Sequence, residues 1–321
     1  QDDGSKVIPK CIGFGNWKGR HTVPNQTGDS EMHFPKFWAK FTDSGLTCWR
    51  WSDTSPSEAE ALAAEAAHRC AKAFASGREL QRYGYPDRPL REQILRQIQN
   101  SSGRESALVT RNAYGCDVLN TAQAMFVDID IPEDNKSLLK KFVLSSFIKG
   151  LLGLIGYSLP MPPPTDSRNP AVNVLAKVSE WTRCHDGWGW RVYRTKAGLR
   201  LLAIHDVFDP LSAQVETVFQ ELGADPLYAR LCKVQECFRA RLTPKPWRCG
   251  SMRPPAGWPW DDANSEQAYR KWEGAYQRES ADYATCQFVG FIGNEAAHPD
   301  VQPLIDFHDE STRATTDLPL A

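Results

Sequence analysis

Two carboxylates, Asp128 and Asp130, stand two residues apart in the run MFVDIDIP, Met125 to Pro132, which otherwise has the composition of a buried strand. Side chains alternate along a strand, so Met125, Val127, Ile129 and Ile131 take one face and Phe126, Asp128 and Asp130 the other. A carboxylate among core residues is costly to desolvate unless a metal ion or basic side chains stand opposite it. Two strand acids at this spacing are a good ligand set for Mg²⁺ or Mn²⁺, hard cations that prefer carboxylate oxygen and keep substrate phosphates as further ligands.

The run FRARL offers counterparts. Phe238, Ala240 and Leu242 share one face of an extended segment, leaving Arg239 and Arg241 together on the other. Arg200, after the turn TKAG, and Lys245 and Arg248, in TPKPWR, add further cations. Guanidinium groups grip phosphate with paired donors, and a metal ion with arginines around an in-line displacement serves phosphoryl and nucleotidyl transfer. The same residue types also make structural salt bridges between adjacent strands. Acids inside the strand, and arginines in matching alternation, raise the functional alternative without removing the structural one.

Other groups are weaker candidates. His205, with Asp206 at the end of LRLLAIHD, has the chemistry of a base or phosphate ligand and equally that of a core or capping residue. Cys184, His185 and Asp186 with Cys232, Cys237 and Cys249 have no regular zinc spacing. Trp188, Trp190, Trp247, Trp258 and Trp260 are suited to stacking bases or, more commonly, to packing core edges. GFGNWKG lacks the preceding apolar strand that a phosphate-cradling glycine loop requires.

The elements that must carry these residues can be read in order. Residues up to about Trp51, rich in Gly, Pro and Trp, read as an irregular layer. Ser55, Pro56 and Glu58 form an N-terminal capping signature ahead of an alanine-rich helix, and a second helix is expected over Leu90 to Ile98. ALVTRN, CDVLNT and AMFVDIDI read as a three-stranded meander whose last member is the acidic strand. From there the order is strand, helix (Val172 to Trp181), WRVYRT, LRLLAIH, helices LSAQVETVFQEL and PLYARLCKVQECF, and RARLT. That is the βαββαβ arrangement of a ferredoxin-like, RRM-like core, in which the first strand lies between the third and the fourth. The expected fold is therefore α+β. Residues 1–104 form an irregular and helical layer, 105–250 the core, and 251–321 a helical extension, with one long helix from about Ser265 to Phe291 and a final helical segment.

Composition bounds the rest. Thirty-eight Lys and Arg against 39 Asp and Glu leave a formal charge of −1, so overall charge selects neither a nucleic-acid partner nor an acidic substrate. Nine cysteines without a CxxC pair, and the lack of a basic-then-apolar leader, suit reduced thiols and a cytoplasmic location. Phe142 to Pro160 approaches the length of a membrane span, but Lys149 at its centre costs roughly 2.5–3.5 kcal/mol on insertion. The segment reads as a buried helix or one covered by a partner protein, and no integral membrane segment is expected.

Two resemblances add to this reading. VTRNAYG, VLNT, FVDID, YRTKAGLRLL, DPLYARLCKVQECFRARLTPKPWRCG and ATCQFVGFIG resemble a widespread, largely uncharacterised bacterial family, from WRWSDTSPSEA onward. More distantly, MFVDIDI, the TKAG strand and the following basic segment, over about residues 105 to 250, are similar to the catalytic core of archaeo-eukaryotic primase-polymerases. That similarity implies Asp128 and Asp130 as metal ligands and the basic residues as contacts for an incoming triphosphate. Such primases carry a Ser-x-His element where this chain reads Thr195-Lys196-Ala197-Gly198-Leu199-Arg200, with His205 off-register; Asp206, Asp209 and Asp225 compete as a third carboxylate.

The expectation is therefore a Mg²⁺- or Mn²⁺-dependent nucleotidyl- or phosphoryl-transfer protein acting on a nucleoside triphosphate or nucleic acid. Asp128, Asp130 and His205 would be catalytic, and Arg200, Arg239, Arg241, Lys245 and Arg248 would hold phosphate. Its rival is a non-catalytic nucleic-acid- or protein-binding module on the same scaffold. Phe126 and Tyr193 are the only obvious stacking aromatics on the central strands.

Overall fold

The computed structural model describes residues 32, 34–77, 89–100, 103–131 and 170–321; the segment 142–160 and its expected partner lie outside them. The described chain is α+β, with antiparallel sheets and six helices. In order the elements are β1 (Phe37–Asp43), β2 (Leu46–Ser52), α1 (Pro56–Ala75), β3 (Gln93–Gln99), β4 (Glu105–Arg111), β5 (Asp117–Thr121) and β6 (Phe126–Asp130). Then come α2 (Pro170–Arg183), β7 (Gly189–Thr195), β8 (Gly198–Ala203), α3 (Ala213–Leu222), α4 (Pro226–Gln235), β9 (Phe238–Arg241), α5 (Ala263–Ser280), β10 (Cys286–Gly293) and α6 (Gln302–Thr312). No helix of the described residues is long and apolar enough to cross a membrane.

The first departure from expectation is a hairpin in place of an irregular layer. β1 and β2 pair from Phe37↔Ser52 to Asp43↔Leu46 across Ser44 and Gly45, both with positive φ (50° and 77°). Two such residues between aromatic and β-branched runs make the tight turn whose twist matches a hairpin. α1 lies on this hairpin. Ser55 accepts the Glu58 amide, Pro56 needs no amide partner in the first turn, and Ala59, Ala63, Ala66, Ala67 and Cys70 form the buried stripe.

The remaining strands form two four-stranded sheets, ordered β3-β4-β5-β9 and β10-β7-β8-β6. Their apolar residues meet in one core, where Val109 and Leu119 of the first sheet join Phe126, Leu201 and Trp190 of the second, with α2, α3, α4 and α6 around them. The expected helix over Leu90 to Ile98 is the edge strand β3, with two register shifts against β4. Ile94 and Ile98, four apart, satisfy a helical stripe and one strand face equally, and pairing with β4 selects the strand. The helix expected to reach Phe291 ends at Ser280, and CQFVGFIG pairs with β7 as β10, bulging between Phe288 and Gly290. Its aromatic, β-branched and glycine residues favour a pleated edge over a helix.

The acidic strand also changes sheets. β4 and β5 pair as expected, but β6 pairs with β8, with Asp128 opposite Arg200, and not with β5. β9 ladders with β5 and not with β6. The free edge of β6 is occupied from the side: the Asp225 amide donates to the Asp128 carbonyl (2.9 Å) and the Tyr228 hydroxyl to the Phe126 carbonyl (2.9 Å). With those acceptors taken by the start of α4, β9 finds its ladder on β5.

The β4–β5 turn is clamped to α5 at one point. Gly115 has φ +83°, and a Cβ there would run into the Trp272 ring. Gly115→Ala is therefore expected to cost about 2–4 kcal/mol, combining left-handed backbone strain with overpacking. Gly103→Ala, at φ +77° with open space around it, carries the backbone part alone, about 1–2 kcal/mol. Urea denaturation of the two variants measures the difference, and equal losses would contradict the clamp.

Candidate functional site

At the middle of β6, Asp128 faces Arg200 of β8 as a directly opposed pair. Arg200 donates Nε to Oδ1 (2.7 Å) and Nη2 to Oδ2 (3.0 Å), so both carboxylate oxygens are engaged. Its third nitrogen, Nη1, donates to the Arg241 carbonyl (3.1 Å) and lies 3.4 Å from His308 Nε2. Burial opposes the charge on Arg200, but Asp128 outweighs it and holds the guanidinium above its ordinary range. The expected phosphate contact at Arg200 is an internal strut: its side chain is 3% exposed, that of Asp128 31%.

A guanidinium can only donate, so His308 Nε2 must accept, and the ring proton sits on Nδ1, 3.3 Å from Asp309 Oδ1. Burial, with Arg200 beside it, pulls the His308 pKa down to about 4. Asp309 in turn accepts from the Tyr193 hydroxyl (2.6 Å) and from Arg191. Despite burial its carboxyl lies below the ordinary value, held there by His308, Tyr193 and Arg191. A polar chain thus runs from β6 through β8 to α6 and back to β7. Nothing in the local sequence of FHDE announces His308 and Asp309 as members, because they reach the sheet only through the tertiary position of α6.

Arg241, the last residue of β9, gathers with Lys245 and Arg248 from the turn that follows it. Burial, and then the nearby Arg200 and Arg248 cations, pull the Arg241 pKa below the usual guanidinium value, while Asp128 partly offsets them. Lys245 is lowered for the same reasons, first burial, then Arg241 and Arg248, with Asp130 opposing. Asp128, Asp130, Arg200, Arg241, Lys245 and Arg248 are therefore brought together. Among the described residues, Arg241 Nε and Arg248 Nη1 are buried with no hydrogen-bond partner. Leaving such a donor unmade costs about 1–3 kcal/mol, more when it is charged.

Two predicted site residues stand apart. Arg239 Nη2 donates to both oxygens of Glu92 (2.9 Å each), and Thr110 donates to the same carboxylate (2.6 Å), so this arginine ties β9 to the entry of β3. It is buried and internal. His205 lies five residues beyond Arg200, roughly 15 Å along the chain. It accepts from the Gly189 amide (3.2 Å) and packs on Trp188 and Phe208, where burial lowers its pKa.

A divalent cation needs open carboxylate oxygens, and here Arg200 fills the Asp128 side of the pair. Among the described residues no three His, Cys, Asp or Glu side chains form a group that could hold a metal ion. Arg200 thus occupies one side of the acidic pair, and the cations Arg241, Lys245 and Arg248 stand beside it. No protein-family model, curated protein or solved structure matches the chain.

Two outcomes follow from the polar chain. Asp128→Asn leaves a buried, uncompensated guanidinium and should lower unfolding free energy by about 3 kcal/mol, whereas Asp128→Leu with Arg200→Met should recover much of that loss. Denaturant titration of the three proteins reads it; a double variant no better than the single would contradict it. His308 binds fewer protons folded than unfolded, so stability should fall as pH drops from about 6.5 toward about 4, on the order of 2–3 kcal/mol. His205 adds the same sign. His308→Gln should flatten that slope in stability measured against pH, whatever it does to absolute stability.

Proposed function

We propose that this chain binds a phosphorylated ligand, a nucleotide or nucleic-acid phosphate, on the cationic group Arg241, Lys245 and Arg248 beside the acidic strand. The observation that carries the reading is the pair of buried guanidinium donors, Arg241 Nε and Arg248 Nη1, without a partner among the described residues. Charged donors held out of water at a fixed position are complementary to phosphate oxygens, and arginine supplies them with little entropy left to lose. Burial first, and the neighbouring cations after it, lower the pKa of Arg241 and Lys245, and a bound polyanion would relieve the repulsive part.

The scaffold we propose is ferredoxin-like and akin to the primase-polymerase core. The element order from β6 to β9 and the neighbours β7-β8-β6 support it, while the ladder of β9 with β5 departs from the simple form. Arg200, in the region where such primases carry a Ser-x-His element, donates to Asp128, which favours the non-catalytic alternative, a binding module on that scaffold.

Metal-dependent nucleotidyl or phosphoryl transfer is the second reading. It is favoured by the partial exposure of Asp128 and by Asp130, exposed near Lys245 at the same end of the strand. If a metal ion were bound with substrate, Asp130 and the outward side of Asp128 would hold it, and it would supply charge neutralisation at phosphate.

Calorimetry with a nucleoside triphosphate separates the two readings. Arg241→Ala should weaken binding by about 1.5–3 kcal/mol, roughly 10- to 150-fold, whereas Arg183→Ala, an exposed ion pair, should change it by less than about 1 kcal/mol. The binding-module reading expects the same affinity with EDTA as with Mn²⁺. Affinity that needs Mn²⁺, and is lost in Asp130→Asn, would establish the second reading instead. A wild-type protein that binds no triphosphate or oligonucleotide under either condition refutes both.

A further inference from the structure

Next to the cationic group stand three of the exposed large apolar side chains: Trp247 is 44% exposed, Tyr114 43% and Met252 82%. The Tyr114 and Trp247 rings meet edge to face, with centroids 5.3 Å apart and planes at 88°. Cations border them: the Arg253 guanidinium lies 5.1 Å from the Trp247 centroid and 5.7 Å from that of Tyr114, and Lys245 Nζ lies 5.7 Å from Trp247. Trp247 lies in the same three-residue turn, Pro246–Arg248, that presents Arg248.

The turns that carry the rings are held by internal contacts. The turn is closed by the Arg248 amide on the Lys245 carbonyl (2.8 Å) and the Ser251 amide on the Pro246 carbonyl (2.9 Å). The Tyr276 hydroxyl and the Cys116 thiol both donate to the Pro244 carbonyl (2.6 and 3.3 Å). Tyr114 sits in a turn where Asn112 Oδ1 accepts the amides of Tyr114 (2.9 Å) and Cys116 (3.1 Å), and Gly115 abuts Trp272. Trp272 Nε1 also donates to the Met252 carbonyl (2.8 Å), fixing the segment that carries Arg253.

Rigid aromatics left in water beside clustered cations are suited to a ligand with a π-face and phosphates at short separation. Every nucleic-acid base has such a face, and along a single strand each unpaired base can present it, whereas inside a duplex the faces are covered by stacking. We infer that Trp247 and Tyr114 form a stacking step for an unpaired base of a single-stranded nucleic acid, whose backbone phosphates lie on Arg241 and Arg248. The inference rests on the phosphate-binding reading above and adds to it the class of ligand. Arg253 and Lys245 reinforce the step, being positioned to meet the adjoining phosphates while lying against the rings.

The test is fluorescence anisotropy with three probes: a labelled single-stranded dodecamer, the same dodecamer with abasic sugars, and inorganic tripolyphosphate as competitor. For the wild-type protein the base-bearing strand should bind more tightly than the abasic one. Trp247→Ala should weaken its binding by about 5- to 150-fold. Trp247→Phe should retain most of the affinity, and competition by tripolyphosphate should be unchanged in Trp247→Ala, which also reports that the variant is folded. A base-bearing strand that binds no better than the abasic one, or that ignores Trp247→Ala while tripolyphosphate still competes, overturns the stacking step and leaves the phosphate reading standing. If neither strand nor tripolyphosphate binds the wild-type protein, both fall.

Discussion

A buried guanidinium must find a carboxylate, and in this protein the Arg200–Asp128 contact sets the positions of much else. The pair is possible only if β6 and β8 align with Asp128 opposite Arg200, because a shift of one strand by one residue would place the two side chains on opposite faces. With the register so determined, Arg200 has one nitrogen left over, and its acceptors come from β9 and α6 through the Arg241 carbonyl and His308. One side chain therefore ties together four elements distant in sequence. Protonating His308 would add a second positive charge next to Arg200 and remove its acceptor, which is why the fold holds that imidazole neutral.

The same contact accounts for how the cationic site is exposed. Arg200 uses the Arg241 main chain, so Arg241 is held in position while its Nε has no hydrogen-bond partner among the described residues. Two residues earlier on β9, Arg239 has the opposite fate, gripped by Glu92 at the entry of β3. Alternation along β9 put both arginines on one face, but the two ends of so short a strand meet different neighbours. Tyr228 contributes to this division: its hydroxyl bonds the Phe126 carbonyl and lies 3.5 Å from the Arg239 amide, between β6 and β9.

Much of this was legible in the residues, and the failures have physical causes. Strands β4 to β9 and helices α1, α3 and α4 announce themselves by alternation, capping residues and helical stripes, which are local signals. β3 and β10 were misread because spacings of four residues, and aromatic runs following a helix, serve either structure until a partner strand is present. The hairpin β1–β2 was obscured by its tryptophans and glycine, although Ser44-Gly45 between alternating runs was a usable turn signal. At the site, the pairing of Asp128 with Asp130 and of Arg239 with Arg241 on single faces followed from strand alternation, but the expected ladder between their strands did not form, and Lys245 and Arg248 come from the turn beyond β9. That Arg200 would point inward to Asp128, that Glu92 would claim Arg239, and that α6 would deliver His308 were all long-range matters, and no local pattern encodes them.

The identity of residue 200 carries a chemical consequence beyond stability. A histidine there would be small and neutral near pH 7, leaving the Asp128 oxygens available to exchange between ligands. An arginine is permanently charged and forked, so it satisfies both oxygens at once. The negative charge of Asp128 is thereby neutralised from within the protein, and the surface next to it takes its sign from Arg241, Lys245 and Arg248. The exposed rings of Trp247 and Tyr114 adjoin this surface through Lys245, whose Nζ lies 5.7 Å from the Trp247 centroid.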